Sequence, residues 1–179
     1  MSARVVAVNC SAEYTFSKPS SEEITLVAGL GVEGDAHFGA RVQHRHRVAQ
    51  DPDQPNLRQV HLIQSELFAE VAAAGYTVTP GDLGENITTA GIDLLALPTG
   101  TTLRLGDDAL IALTGLRNPC RQVNGFREGL LEQLIERVDG RTVRRGGVMA
   151  VVVQGGLVRA GDSIEVGLPP GRQDPMDRV

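Results

Sequence analysis

Long apolar runs are missing from this sequence. No stretch reaches the roughly 18 residues that a membrane-spanning helix needs. The apolar start, Val5-Val6-Ala7-Val8, is too short for a secretory leader. The expected compartment is therefore the reducing cytoplasm, with no membrane partner. Cysteine is scarce as well, with only Cys10 and Cys120 present. A disulfide is not expected in a reducing compartment, so the two are read as separate thiols. Positive charge is not in excess: 17 Lys and Arg face 22 Asp and Glu. The resulting net charge of −5 argues against a general nucleic-acid binder. Tryptophan is absent altogether.

What is present suffices for one domain. A chain of 179 residues buries roughly 70% of its unfolded surface and needs no staple. Residues 1–167 are expected to fold together. Residues 168–179 carry three prolines and little apolar content, so a flexible tail is expected there. The basic residues are clustered rather than spread: Arg41, His44, Arg45, His46 and Arg47 form one group, and Arg141, Arg144 and Arg145 another. Local patches on an acidic chain suit a small anionic ligand better than a long polyanion.

Strand signals dominate. Arg4 to Val8, Ile24 to Val27, Val60 to Ile63, Thr101 to Leu105, Ala109 to Leu113 and the valine-rich Val148 to Val153 all read as strands. Gly29, Gly31 and Gly34 fall within six positions, which predicts a turn with unusual backbone angles or a close approach. Two helices are expected. One is capped by Ser65, carries Leu67, Phe68, Val71 and Ala72, and stops at Gly75. The other spans about Arg127 to Val138 on the stripe Leu130, Leu131, Leu134, Ile135 and Val138, with Gly140 ending it. A helical turn is expected within Ile92 to Leu97. A short echo links residues 98–106 with residues 159–167: each is a glycine-led turn, an alternating strand and a closing glycine. Similar corners suit a barrel. The fold class expected is β-rich α+β, a barrel-like arrangement of mixed strands with two or three peripheral helices.

Four groups of residues could carry chemistry. The first is Thr114 to Gln122, where Cys120 follows Pro119 and lies between Arg117 and Arg121. Nearby cations favour the thiolate, which is the nucleophile and metal ligand. Buried inert cysteines are common, but the Arg-Asn-Pro and Arg-Gln flanks are too polar for a core strand. The second is Glu85-Asn86 after Gly84, either an Asx-type turn or a donor–acceptor pair for a heterocycle edge. The third is His37 with His44 and His46. With Cys120 they would make a zinc-like set if His44-x-His46 lay on a strand, yet interleaved arginines disfavour a cation and suit phosphate. The fourth is Arg58-Gln59-Val60-His61, with Arg58 and Val60 on one strand face and Gln59 and His61 on the other, as a site or a solvated edge.

Together these stretches resemble the MOSC domain, the module named for the C-terminal part of molybdenum-cofactor sulfurases. The resemblance runs from about Leu30 to Val166. It is carried by Gly34-Asp35-Ala36-His37-Phe38-Gly39, Arg58-Gln59-Val60-His61-Leu62-Ile63, Gly84-Glu85-Asn86-Ile87-Thr88, Leu97-Pro98-Thr99-Gly100, Leu103-Arg104-Leu105-Gly106 and Thr114-Gly115-Leu116-Arg117-Asn118-Pro119-Cys120. It implies a stand-alone barrel-like domain that binds a molybdenum cofactor (molybdopterin), with Cys120 as sulfur carrier or molybdenum ligand. Pyridoxal phosphate binding is a further association of the family. Some members reduce N-hydroxylated compounds with electrons from partner proteins, and others serve in cofactor sulfuration. The residues expected around the cofactor are Arg117, Asn118, Arg121, Arg58, His61, Glu85, Asn86, Asp35 and His37. Where the N-hydroxyl reductases show His-Gly-Gly and an acidic residue, this chain has His37-Phe38-Gly39, a departure from the reductase pattern. A separate sulfur donor of the cysteine-desulfurase kind, or a separate electron-donor reductase, is the expected partner of a monomer or homodimer. The alternative is a non-catalytic binding module on a degenerate barrel. A zinc hydrolase is a third reading.

Overall fold

A computed structural model describes residues 2–179, with the side chains of Arg45 and His46 outside the description. In chain order the strands are β1 Arg4–Asn9, β2 Ser20–Ser21, β3 Glu23–Val27, β4 Gly31–Val32, β5 Val60–Gln64, β6 Ile87–Ala90, β7 Thr102–Leu105, β8 Ala109–Leu116, β9 Ile135–Val138, β10 Arg141–Arg144, β11 Val148–Gln154, β12 Gly156–Arg159 and β13 Ile164–Gly167. The helices are α1 Arg45–Gln50, α2 Glu66–Ala73, α3 Gln122–Phe126 and α4 Leu130–Leu134. The class is β-rich with mixed strands, as the strand signals imply. Four short helices occur among the described residues, where two or three were expected.

One large sheet holds eight strands in the order β13-β7-β8-β11-β5-β6-β1-β2. All its pairings are antiparallel except β5 with β6. By strand pairing this sheet is open. Its ends nonetheless approach: Arg4 bridges Ser163, and backbone bonds run from Val5 N to Asp162 O and from Ile164 N to Ala3 O. A three-stranded sheet, β12-β3-β4, and the hairpin β9-β10 complete the β structure.

Alternation explains the core. In β8, Ala109, Ile111 and Leu113 are buried and their neighbours only partly so, the pattern of a strand with one face on the core. Val148 to Ala150 of β11 are buried on both faces, but Val153 is 51% exposed, so the continuous burial expected for that run holds for its first half. A second apolar cluster packs α2, α3 and α4 over Ile63, through Leu67, Val71, Val123, Leu130 and Leu134.

The first expected helix is α2, which ends at Ala73 with Gly75 at φ +92°. Ser65 caps it without a side-chain bond. The expected turn at 92–97 is a single 3-10 turn, Leu94–Ala96, capped by the Asp93 carboxylate. The second expected helix is corrected. Only Leu130–Leu134 of the expected span is helical, as α4, because Gly129 adopts φ +83° and Asn124 Oδ1 accepts from Leu131 N at 2.8 Å to start the helix there, while α3 lies before the expected span. Residues 135–138 then pair with β10 as a strand. Leu130 and Leu134 still reach the core, whereas Val138 is exposed. The expected loose tail is also corrected over part of its length. Thr99 N donates to Asp174 O, Leu116 N to Asp177 O and Val179 N to Leu116 O, and Met176 is buried in the main core.

Candidate functional site

Strand register brings the sequence motifs to one band across the large sheet. Leu116 pairs with Val148, Val148 with Leu62, Leu62 with Ile87 and Ile87 with Val8. Arg117 and Gly147 lie one residue to one side of that line, and His61, Asn86 and Asn9 lie one residue to the other, with His61 opposite Met149. The His61 side chain crosses the line, its Nε2 lying 2.8 Å from Gly146 O, and so joins the two sides into one rim.

Asn86 is the joint of that rim. Its Nδ2 donates to Asn9 O at 3.3 Å and to Asp35 Oδ2 at 3.0 Å, and its Oδ1 accepts from His61 N at 3.2 Å. Asp35 is held by four further donors: Lys18 Nζ at 2.7 Å, His37 N at 3.0 Å, His37 Nδ1 at 3.2 Å and Ser11 N at 3.4 Å. Burial alone would raise the Asp35 pKa. The His37 hydrogen bond and the Lys18 charge outweigh it, so the carboxyl stays well below the ordinary carboxylate range. His37 stacks edge-on against Tyr14, with ring centroids 5.6 Å apart. His61 is buried, and its Nε2 donates to Gly146 O at 2.8 Å. Burial first, and then the Arg117 charge, keep this imidazole neutral with a pKa well below its ordinary value.

The second half of the rim is cationic. Arg117 is 8% exposed, and its Nη1 is buried with no hydrogen-bond partner among the described residues. Burial lowers its pKa, while the charges of Cys120 and Glu85 oppose that shift. Arg58 is pushed down to about 10 by burial and by the neighbouring Arg47 and Arg117, against the opposing pull of Cys120. No hydrogen bond or ion pair engages the Arg58 guanidinium among the described residues. Glu85 is fully buried. Its Oε1 accepts from Gly81 N at 2.7 Å and Thr88 Oγ1 at 2.9 Å, while Oε2 has no partner among the described residues. Burial raises its pKa. Cys120 is half-buried, with Sγ 3.4 Å from Gln122 Oε1. Cys10 differs: burial and then Asp35 raise its pKa, which disfavours its thiolate.

The expected residues therefore fall into two sets. Arg58, Arg117, Glu85 and Cys120 share one electrostatic neighbourhood with His61. Asp35, His37 and Asn86 form the adjoining polar network, with bonding capacity directed into the protein. Asn118 is exposed and accepts from Arg144 Nε at 3.0 Å, and Arg121 is exposed at the start of α3. Gln59 binds backbone on two sides, donating to Gly29 O and accepting from Val152 N, each at 2.9 Å. It is an internal tie rather than a site residue. The zinc-like set does not assemble as expected. His44 precedes a helix, not a strand, and no group of three metal-ligating side chains occurs among the described residues. The His46 side chain lies outside the described residues.

Three contributors had no signal in the sequence. Lys18 sits in a polar loop yet ends buried against Asp35. Asn56 donates to His37 O at 3.0 Å and Gly39 O at 2.9 Å, fixing the His37 loop. Gly146 and Gly147 leave room for the rim: a Cβ on Gly146 would lie 2.8 Å from Pro119 Cγ, and one on Gly147 would strike Leu62 O. Paired glycines beside the valine-rich strand are the only hint the sequence offers of that close approach.

The MOSC domain family model matches residues 33–165, which span the whole rim except Lys18 and the β1 end. The chain belongs to the MOSC domain family. Solved structures agree at the level of fold. This MOSC chain is similar to the YuaD protein of Bacillus subtilis at TM-score 0.76 and 22% identity, over 93% of this chain and 96% of that one. It is similar to YiiM of Geobacillus stearothermophilus at TM-score 0.62 and 17% identity, over 92% and 75%. It is also similar to YiiM of Escherichia coli at TM-score 0.62 and 21% identity, over 96% and 73%. No curated protein matched the sequence.

Proposed function

We propose that this MOSC domain binds a molybdenum cofactor (a molybdopterin) at the Arg58–Arg117–Cys120 rim, with Cys120 as sulfur carrier or molybdenum ligand. The observation that carries the reading is one half-buried thiol beside two largely desolvated guanidinium groups, one with a buried nitrogen lacking a partner. Unpaired buried donors call for an acceptor, and guanidinium forks match phosphate oxygens. A thiolate suits a metal already held by sulfur. The residues present therefore fit the group: Arg58 and Arg117 would hold its anionic part, and Cys120 would face its metal. When bound, the cofactor supplies a redox-active and sulfur-accepting metal centre.

The chain's own residues do the rest. Arg58 and Arg117 set two cationic guanidinium groups beside Cys120, which reacts as its thiolate. As sulfur carrier, that thiolate attacks the sulfane sulfur of a donor persulfide. The donor S–S bond breaks, the donor thiolate leaves, and Cys120 holds the sulfur as its own persulfide. His61, neutral and bonded to Gly146 O, fixes the glycine turn and adds no charge to compete for the anion. A separate sulfur donor, or a separate reductase if the reaction is reduction of N-hydroxylated compounds, completes the chemistry in the cytoplasm. We read the sheet as barrel-like, closed by the Arg4–Ser163 bridge. Pyridoxal phosphate fits poorly as a Schiff base. Lys18 is the only lysine of the chain, and it is buried and ion-paired to Asp35 at 2.7 Å.

The test is expression in a host that makes the cofactor, followed by molybdenum and pterin analysis. Stoichiometric pterin is expected in the parent and at least a tenfold lower content in Arg117→Met, roughly the loss of one charged hydrogen-bonded contact. Cys120→Ala should keep pterin yet lose transferable sulfur or molybdenum. A folded parent that carries neither pterin nor molybdenum overturns the proposal.

A further inference from the structure

The segment 174–179 reaches the Cys120 loop from the far end of the chain. Beyond Leu113, β8 runs past the end of β7, whose last paired residue is Thr102 opposite Ala112. Its free flank is taken by the tail. Leu116 N donates to Asp177 O at 2.8 Å, Val179 N donates to Leu116 O at 3.2 Å, and Arg178 bridges Leu116 in parallel. On the opposite flank Arg117 N donates to Gly147 O at 2.9 Å. The last residues of β8 before Arg117 and Cys120 are thus paired on both sides, which is the arrangement of an interior strand rather than an edge.

Two residues make this contact specific. Met176 is 7% exposed and packs into the main core, while its neighbours Pro175 and Asp177 are exposed. It is the one apolar anchor of the segment. Gly115 supplies the groove: a Cβ there would lie 2.5 Å from Asp177 O and 2.9 Å from Val179 Cβ. The backbone at Gly115 is not in the left-handed region, so the glycine serves the passage of the tail and not a turn.

We propose that residues 174–179 are a positioning strap that holds Leu116 and Arg117 in place and so sets the accessibility and reactivity of the Cys120 thiol. The strap acts through Arg117 and does not touch reactants itself. This concerns the same site as the proposed function, but it is read from the thiol alone and stands whether or not a cofactor binds.

The experiment uses the full chain with Cys10→Ala, so that Cys120 is the only thiol. The strap is released from either side, by Met176→Asp in the tail or by Gly115→Val in the strand, with Met176→Leu as the conservative control. Iodoacetamide alkylation of Cys120 is timed, and amide exchange is followed at Leu116, Arg117 and Val179. Both releasing variants are expected to alkylate about tenfold faster, through easier local opening, with lost protection at Leu116. Met176→Leu should restore the parent rate. Because the two variants act on different elements, either one that folds suffices. Parent alkylation rates in a folded variant whose Leu116 amide has lost protection would overturn the proposal, and so would full Leu116 protection in both variants.

Discussion

Lys18 illustrates how much a single buried charge decides. Its side chain is 5% exposed and that of its partner Asp35 is 2% exposed. Removing one member of such a pair costs about 3–5 kcal/mol, because the other remains buried and uncompensated. Asp35→Asn is expected to destabilise the protein by about that amount at neutral pH, as measured by urea unfolding. Two groups weaken the fold as pH falls, whereas Glu85, whose folded pKa is raised by burial, takes up its proton first in the native state and opposes them. Asp35 has a folded pKa below its unfolded value, so its stabilisation is complete above about pH 4 and fades as pH falls through the lower folded value. His61 is also depressed. The unfolded chain takes up its proton first, so stability falls as pH drops below about 6.5. Two steps are therefore expected on the acid limb of stability against pH. His61→Gln should remove the upper step and Asp35→Asn the lower. An unchanged acid limb in both variants would remove the physical basis for assigning either step.

At the scale of elements, close backbone approach matters as much as hydrophobic pattern. Gly147 has φ +91°, and a Cβ there would strike the carbonyl of Leu62 in the adjoining strand. Gly147→Ala is expected to cost about 3 kcal/mol or more, combining left-handed backbone strain with displacement of β5. Chemical denaturation measures that cost, and the shift of the His61 ring resonances on loss of its bond to Gly146 locates it. A change under about 0.5 kcal/mol, the usual range for an unstrained surface site, would show that the rim tolerates a side chain there. The legible elements are those whose pattern is local. Leu103 and Leu105 alternate within β7, and Leu67 and Val71 share one face of α2. The echo between residues 98–106 and 159–167 also has a structural meaning, since β7 and β13 pair with each other, Ile164 opposite Leu105. The stripe from Leu130 to Val138 was misleading because periodicity does not register that Gly129 turns left-handed or that residues 135–138 have a strand partner in β10.

The whole molecule is held by contacts between distant parts of the chain. β1 pairs with β6, and Arg4 meets Ser163. β12 pairs with β3, and the tail pairs with β8. Loop closure over such separations must precede the contacts that reward it. Refolding is therefore expected on the scale of about milliseconds to seconds, as for other β-dominated topologies, by stopped-flow dilution from urea. Microsecond refolding would contradict this topology. The sequence by itself determined the β-rich class, the strand segments with alternating or continuous apolar residues, and the motifs around Asp35, Arg58, Glu85, Arg117 and Cys120. Each of these is set by residue type and near neighbours. Only the tertiary structure decided that these motifs share one rim, because that depends on strand register across five segments. It also decided that Asn86 and Gln59 bond inward, that Lys18 is buried, and that residues 174–179 close the flank of β8. Those outcomes rest on which unpaired backbone and buried charges meet, and partners so far apart in sequence leave no local pattern to read.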